Sequence, residues 1–287
     1  MEISKKKIIK EKIDIVCPCC YSDKFSKWGE ENGYVAVRCN NCALIYVNPR
    51  PSDDLINEAV VYGIHSDVGN GKSVVTSRVS SKVDLFYKQF KSLLPDLCTS
   101  ETPIKWLDVG AGFGELVEGV TKLLPRNSKV VGIEPMKPKA EAAKKRGLDI
   151  RNIYLDEVEE KFNIVSIINV FSHIPDFNSF LNEIKDVLYD NGELIIETGN
   201  TADLENRSDF SGELDLPDHL VFAGKKQLKI FLERSGFQIV DIQEKRIDNL
   251  WYFVKNIIKK LLGRPVILKL PYTSSYRSLL IRAKLVS

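Results

Sequence analysis

The sequence predicts an α/β protein with a doubly wound, mostly parallel sheet of seven strands, preceded by a small cysteine-bearing ribbon. Three observations carry this reading. From about residue 104 onward, apolar runs that look like buried strands alternate with stretches of helical period. The first such run, "IKWLDV", leads directly into a glycine-rich turn, "GAGFG", and then into an apolar-periodic helix. Two close cysteine pairs lie ahead of it, separated by a short alternating segment. A chain of 287 residues with 44% apolar content can bury one full α/β domain and still carry an appendage.

The ribbon comes first. Cys17, Cys20, Cys39 and Cys42 form a C-x2-C-x18-C-x2-C pattern in "VCPCC" and "RCNNC". Each C-x2-C turn offers two sulfurs from one tight loop, and zinc takes four thiolates in a tetrahedron. Between the pairs, "WGEENGY" reads as a hairpin turn and "GYVAVRC" as a strand, so residues 1–50 read as a zinc ribbon. Thiol exchange is the rival use of C-x2-C. Two pairs that match each other favour a structural metal. Cys19 is then spare, and Cys98 reads as a small buried hydrophobe. The N-terminus lacks the apolar core of a secretory leader, and no run is long enough to span a bilayer. The chain therefore reads as cytoplasmic, where structural disulfides are rare.

In the glycine turn, Gly110, Gly112 and Gly114 alternate with Ala111 and Phe113. This is not the spacing of dinucleotide binders, because Glu115 falls where their third glycine would be. The next apolar run, "SKVVGIEP", ends in Glu134-Pro135, and an acid at that place can accept ribose hydroxyls. Asp108, just before the glycines, can position their loop and meet the cationic end of a ligand. At these residues the chain resembles the class I S-adenosylmethionine-dependent methyltransferases: "LDVGAGFG" is similar to their first motif and "GIEP" to their acidic second motif. The resemblance implies a Rossmann-like methyltransferase domain over residues 81–287. It also implies a site for S-adenosylmethionine made from Asp108, Gly110, Ala111, Gly112, Gly114, Glu134 and Pro135, with Asn169 and Val170 after the fourth strand. Asn163, Asn169 and Ser172 stand where that family usually carries acids; asparagine keeps a hydrogen bond without the charge.

The rest of the chain follows the same alternation. "AEAAKKRGLDI" reads as a helix closed by Gly147, "DIRNIYL" as a third strand and "KFNIVSIIN" as a fourth. "FNSFLNEIKDVLYDNG" reads as a helix ending at Asn191-Gly192, and "ELIIETGN" as a fifth strand. "KKQLKIFLERSGF" and "QIVDIQEKR" read as one more helix and strand, and "SLLIRAKLV" as an antiparallel last strand.

The chain has three histidines. His173 follows the fourth strand. His219 lies beside Asp218 in "LDLPDHLVFAG", where a substrate loop is expected. The ribbon, "YVNPRPS" after it, and "DHLVFAGKKQLKIFLERSGF" together resemble a subgroup acting on sugars or related metabolites of surface-glycan and antibiotic pathways. That resemblance implies O-methylation of a sugar, nucleotide-linked sugar or related small molecule, with Asp218 and His219 supplying the base and His173 a further catalytic candidate. Tyr62 and His65 are additional candidates from the linker of residues 51–80, whose "HSDVGNGKSVVTSRVSS" reads as a mobile lid rather than a phosphate loop. Two other readings stay open. One is an RNA base methyltransferase that uses the ribbon for recognition, although the ribbon's mixed charge and the loop "NVFSHIPD" speak against nucleic acid. The other is a non-catalytic S-adenosylmethionine-binding or scaffold protein, which the missing acids allow.

Charge is distributed unevenly. Lys245 to Ser287 carry ten basic residues and one acid, a balance of +9, which leaves −7 for the remainder of a chain whose net charge is +2. Within this tail, residues 248–272 read as an insertion containing a basic amphipathic helix. Leu250, Trp251, Val254, Ile257, Ile258, Leu261 and Leu262 lie at helical spacing among Lys255, Lys259 and Lys260. Such a helix either packs on its own protein or a second subunit, or lies on a membrane, here the inner face.

Overall fold

The computed structural model describes residues 12–68, 71–73, 77–98, 100–264 and 266–286. The ribbon is a hairpin of β1 (Phe25–Glu31) and β2 (Tyr34–Cys39) with a short third strand, β3 (Ile45–Val47). The turn between β1 and β2 is narrower than "WGEENGY" suggests. Only Asn32 and Gly33 form it, both at positive φ (54° and 77°), the two-residue turn whose twist matches the strands it joins. Trp28 to Glu31 therefore belong to the strand. Helix α1 (Asp53–Tyr62) and helix α2 (Ser81–Leu93) lead to the main sheet.

The main sheet is built from β4 (Lys105–Val109), β5 (Lys129–Ile133), β6 (Ile150–Arg151), β7 (Phe162–Ile168) and β8 (Leu188–Gly199), followed after a further small strand, β9 (Val221–Phe222), by β10 (Phe237–Arg246) and β11 (Arg277–Leu285). Their spatial order is β6-β5-β4-β7-β8-β11-β10. The first five pair in parallel, and β11 runs antiparallel between β8 and β10. This is the seven-stranded, doubly wound arrangement expected. Helices α3 (Glu115–Thr121), α4 (Lys137–Lys144), α5 (Phe177–Asp186) and α6 (Lys225–Arg234) connect the strands, and α7 (Leu250–Leu261) stands between β10 and β11.

Both faces of the sheet are covered, which is why its strands read as unbroken apolar runs. On one face Trp106, Ile164, Ile195 and Leu280 pack with Phe90, Leu116 and Val120. On the other Leu107, Val165, Ile196 and Ile281 pack with Phe171, Leu181 and Phe231. Two elements are shorter than the pattern implies. The third sheet strand is only Ile150–Arg151, and the loop after it is bonded back to the acidic motif: Asn152 Nδ2 donates to the Glu134 and Pro135 carbonyls at 2.9 and 2.7 Å. Helix α5 stops at Asp186, and "YDNG" lies within β8, where the pairing with β7 slips between Phe162 and Ile164.

The ribbon is built into the domain. Strand β9 pairs with β3, so its sheet has the order β9-β3-β2-β1 and takes one strand from the chain just after His219. Gln227 Nε2 of α6 donates to the Cys42 carbonyl at 2.6 Å, and Arg234 Nη1 to that of Cys19 at 2.8 Å. Of the segment read as a lid, residues 69–70 and 74–76 lie outside the described residues, as does the side chain of Cys98. No described helix is long and apolar enough to cross a membrane.

Candidate functional site

Four sulfurs come together first. The Sγ atoms of Cys17, Cys20, Cys39 and Cys42 lie within 4.8 Å of one another, with Cys17–Cys42 and Cys20–Cys39 both at 3.5 Å. Four thiolates about 2.3 Å from one zinc ion stand about 3.8 Å apart in a tetrahedron, so these positions fit. The two turns also repeat one backbone pattern. The Cys17 and Cys39 carbonyls accept from the N–H groups of Tyr21 and Ala43, at 2.8 and 3.0 Å, and both of those residues are left-handed, φ 61° and 65°. Asn41 N–H also points at Cys39 Sγ, 3.4 Å away. Cys19, although buried, is outside the four-sulfur group.

The second centre lies at the carboxyl ends of β4 and β5. Gly110 has φ 70°, and a Cβ there would fall 2.6 Å from Val170 Cγ2, so Val170 closes the turn from the far side. Gly112 differs: at φ 56° its added Cβ would meet nothing within 4 Å. Its side-chain position is open space, where a ligand can approach the backbone. Glu134 grips this turn, accepting from Gly112 N–H at 2.8 Å with one oxygen and from Met136 N–H at 2.9 Å with the other. Each oxygen keeps lone pairs for a further donor. Ala111 is held by its N–H to the Ile133 carbonyl, 2.9 Å.

Among the described residues the Asp108 carboxylate makes no hydrogen bond to the glycine loop that the sequence expects it to position. Ser166 stands opposite it in the β4–β7 register and donates to its carboxylate at 2.7 Å, while Trp106 Nε1 donates to the same hydroxyl at 2.9 Å. The carboxylate is thus held by the strand layer, and Glu134 holds the loop. Burial pushes the Asp108 carboxyl up to about 7, against the Ser166 hydrogen bond that lowers it.

The third centre gathers every histidine in the chain around Asp218. His173 Nδ1 donates to the Asp218 carbonyl at 2.9 Å and lies 3.5 Å from its Oδ1; His65 Nε2 donates to the same Oδ1 at 3.3 Å. The His219 ring packs edge-on against His173, 4.8 Å between centroids, and its Nδ1 donates to the Leu214 carbonyl at 3.1 Å. That bond leaves His219 Nε2 with a free lone pair. Burial would raise the Asp218 carboxyl, but the hydrogen bonds from His173 and His65 hold it well below the usual carboxylate range. Burial likewise opposes charge on His173, yet Asp218 outweighs it and raises the imidazole. Burial, then the charge of His173, pushes His219 down to about 4, so it is neutral near pH 7.

His219 lines a pocket of about 230 Å³ together with Asn169, Ser172, Phe222, Tyr252 and Tyr276. Asn169 (φ 58°) lines this pocket, and its neighbour Val170 packs against Gly110 of the glycine turn. Glu213 lines the pocket too; its Oε1 is buried without a partner among the described residues, while Oε2 meets Lys259 Nζ at 3.3 Å. The ribbon holds this wall in place: Glu31 accepts from the N–H groups of Leu214 and Asp215 at 2.8 and 2.9 Å, and Asn32 Nδ2 donates to the Leu216 carbonyl at 2.6 Å. Tyr62 is 69% exposed and outside the cluster. His65, a linker residue with little local signal, is the linker candidate that arrives. Glu31, Glu213 and Tyr252 carried no pattern that marked them.

The domain that carries the glycine turn has its counterpart in known proteins. A family described as "Methyltransferase domain" matches residues 81–242. The chain belongs to this methyltransferase family. The match begins at α2 and covers the glycine turn, Glu134, Asn169 and Asp218–His219. Among curated proteins, the domain is similar to the ubiquinone biosynthesis O-methyltransferase of Rhodopseudomonas palustris, 30% identical over 105 residues, covering 34% of this chain and 40% of that protein. The protein of the same name from Bradyrhizobium sp. (strain ORS 278) is 32% identical with the same coverage. The chain thus matches about 40% of the length of these relatives. Among solved structures, geranyl diphosphate C-methyltransferase from Streptomyces coelicolor A3(2) shares 13% identity at a TM-score of 0.52, covering 69% of this chain and 79% of that one. The [4+2]-cyclase SpnF shares 15% at 0.50, covering 69% and 81%. At such identities these two speak for the methyltransferase fold alone.

Proposed function

We propose that the protein is an S-adenosylmethionine-dependent methyltransferase that methylates an oxygen of a hydroxylated small molecule. The observation that carries this reading is the position of His219. His219, neutral near pH 7 and with Nδ1 engaged by the Leu214 carbonyl, lines a pocket whose wall residue Asn169 is the chain neighbour of Val170, the residue packed against the glycine turn. Asp108, the open side of Gly112 and the spare lone pairs of Glu134 fit the ammonium, the chain and the ribose of S-adenosylmethionine, respectively. When bound, that group supplies a methyl on a positively charged sulfur, which leaves as a neutral thioether.

The chain's own residues do the remainder. The pocket orients the acceptor oxygen in line with the methyl, a matter of proximity. His219 Nε2 takes the hydroxyl proton as the oxygen–carbon bond forms and the carbon–sulfur bond breaks. Asp218 favours the charged form of His173, and burial of His219, with any charge on His173 second, holds His219 in its neutral form. The unpaired Glu213 Oε1 supports an acceptor with hydroxyl donors, and Phe222, Tyr252 and Tyr276 support a flat ring between them. The curated relatives' names support oxygen as the acceptor atom and add nothing for a sugar. Incubation with methyl-labelled S-adenosylmethionine, offering phenolic or quinol acceptors in one arm and nucleotide sugars in the other, tests the reading. Transfer to a hydroxyl in either arm supports it, and absence of S-adenosylmethionine binding overturns it. Zinc, in this reading, is structural and held by Cys17, Cys20, Cys39 and Cys42.

Two smaller effects follow from the geometry. If Asp108 meets a cation, binding must take off its proton below pH 7, because its carboxyl titrates near there in the free protein. Calorimetry should then show S-adenosylmethionine affinity rising about fivefold from pH 6 to 7 and about twofold more by pH 8, levelling only above that. Asp108→Asn should flatten that dependence. The same raised carboxyl makes the free protein lose stability as pH rises through 7. His65 is a positioning residue, since it reaches the site only through Asp218. A hydrogen bond contributes about 0.5–1.5 kcal/mol, so His65→Gln should lower kcat roughly three- to tenfold while leaving KM for S-adenosylmethionine unchanged. A rise in that KM instead would assign His65 to the cofactor cleft.

A further inference from the structure

Helix α7 is amphipathic in the reverse sense. Asn249 caps it, accepting from Tyr252 N–H at 2.9 Å. Its inward side is polar: Tyr252 and Lys259 line the acceptor pocket, and Asn256 between them is buried. Its outward side is apolar. Trp251 is 74% exposed, Leu261 82% and Leu262 75%, with Leu250, Val254 and Ile258 also open. At 3.6 residues per turn these six fall within an arc of about 120°, on the side opposite Tyr252, Asn256 and Lys259. A soluble helix normally turns such a stripe to its core. An exposed apolar stripe of this kind marks a contact surface.

Charge selects the occupant. No acidic residue follows Asp248 anywhere in the chain, and Lys255, Lys260 and Arg264 are exposed along or just beyond the stripe. A second copy docked about a two-fold axis would bring these cations against their own kind. An anionic bilayer meets both properties, taking leucines and tryptophan into the boundary of the acyl chains and cations at the headgroups. We propose that α7 lies flat on an anionic membrane surface and that the pocket beneath it, if it is the acceptor site argued above, receives its hydroxylated acceptor from that surface.

The test is sedimentation of the full chain with phosphatidylcholine vesicles, with or without phosphatidylglycerol. Binding is expected only to the anionic vesicles and should weaken as salt rises. Trp251→Glu/Leu261→Glu, at two exposed positions outside the pocket, should weaken it at least about tenfold. The charge reversal Lys255→Glu/Arg264→Glu should also weaken it while leaving the apolar stripe intact. Calorimetric S-adenosylmethionine binding should be the same in all three proteins. Equal binding by wild type and both variants overturns the proposal. So does a wild-type dimer in ultracentrifugation that the Trp251 and Leu261 changes dissociate, since a second copy would then own the stripe. Loss of S-adenosylmethionine binding with vesicle binding intact would instead count against the methyltransferase reading.

Discussion

Cys39→Ser is expected to abolish stoichiometric zinc and unfold the ribbon, with the acceptor wall following. A structural zinc site contributes on the order of 10 kcal/mol to the domain that holds it, comparable to the whole stability of an ordinary domain. Here the loss would propagate. Cys39 ends β2, which pairs with β1 and β3; β1 carries Glu31, and Glu31 holds Leu214 and Asp215. The expected readout is less than one zinc per chain by atomic absorption, a lowered and broadened melting transition, and lost transfer. S-adenosylmethionine binding should suffer less than transfer, since among the described residues Glu134 and the glycine turn make no hydrogen bond to the ribbon, which is tied instead to β9 and α6. Cys19→Ser is the control and should keep one zinc per chain. Zinc lost with Cys19 but kept without Cys17 or Cys20 would mean that the ligand set is misassigned.

His219→Ala is expected to lower methyl transfer at saturating S-adenosylmethionine by about 10²–10⁴-fold, the range for removing a general base, with donor binding unchanged. Because His219 is pushed down to about 4, its base form persists through the neutral range. The kcat of the wild type should therefore stay level from pH 8 to about 5 and fall only as His219 takes its proton. The Asp108 limb near 7 should appear separately, in kcat/KM for S-adenosylmethionine. His173→Ala removes the neighbouring positive charge, so it should raise the His219 titration and move the kcat limb upward. Transfer within a few-fold of wild type in His219→Ala would remove it as the base.

Much of this site was legible because its determinants are local. The C-x2-C spacing, the alternating glycines and the acid closing "GIEP" each encode a turn or strand end within a few residues, and such geometry follows from backbone rules without tertiary help. The doubly wound sheet was legible for the same reason: buried strands and helices have different apolar periods. The division of labour between the two acids was not. Along the chain Asp108 reads as the acid that positions the glycines and Glu134 as a ribose acceptor; the pairing of β4 with β7 sets Ser166 beside Asp108, and it is Glu134 that bonds the glycine turn. Helix α7 was legible as amphipathic, but which side faces water depends on what lies beneath it, here the polar pocket of Tyr252 and Lys259.

The sequence by itself determined the fold class, the gathering of the four cysteines and the glycine turn, because each is written in local spacing and period. Only the tertiary structure decided the chemistry's final arrangement. His65 meets Asp218 across 153 residues and His173 meets it across 45. Contacts at those separations are set by strand order and by the ribbon's added strand, and no local period records them.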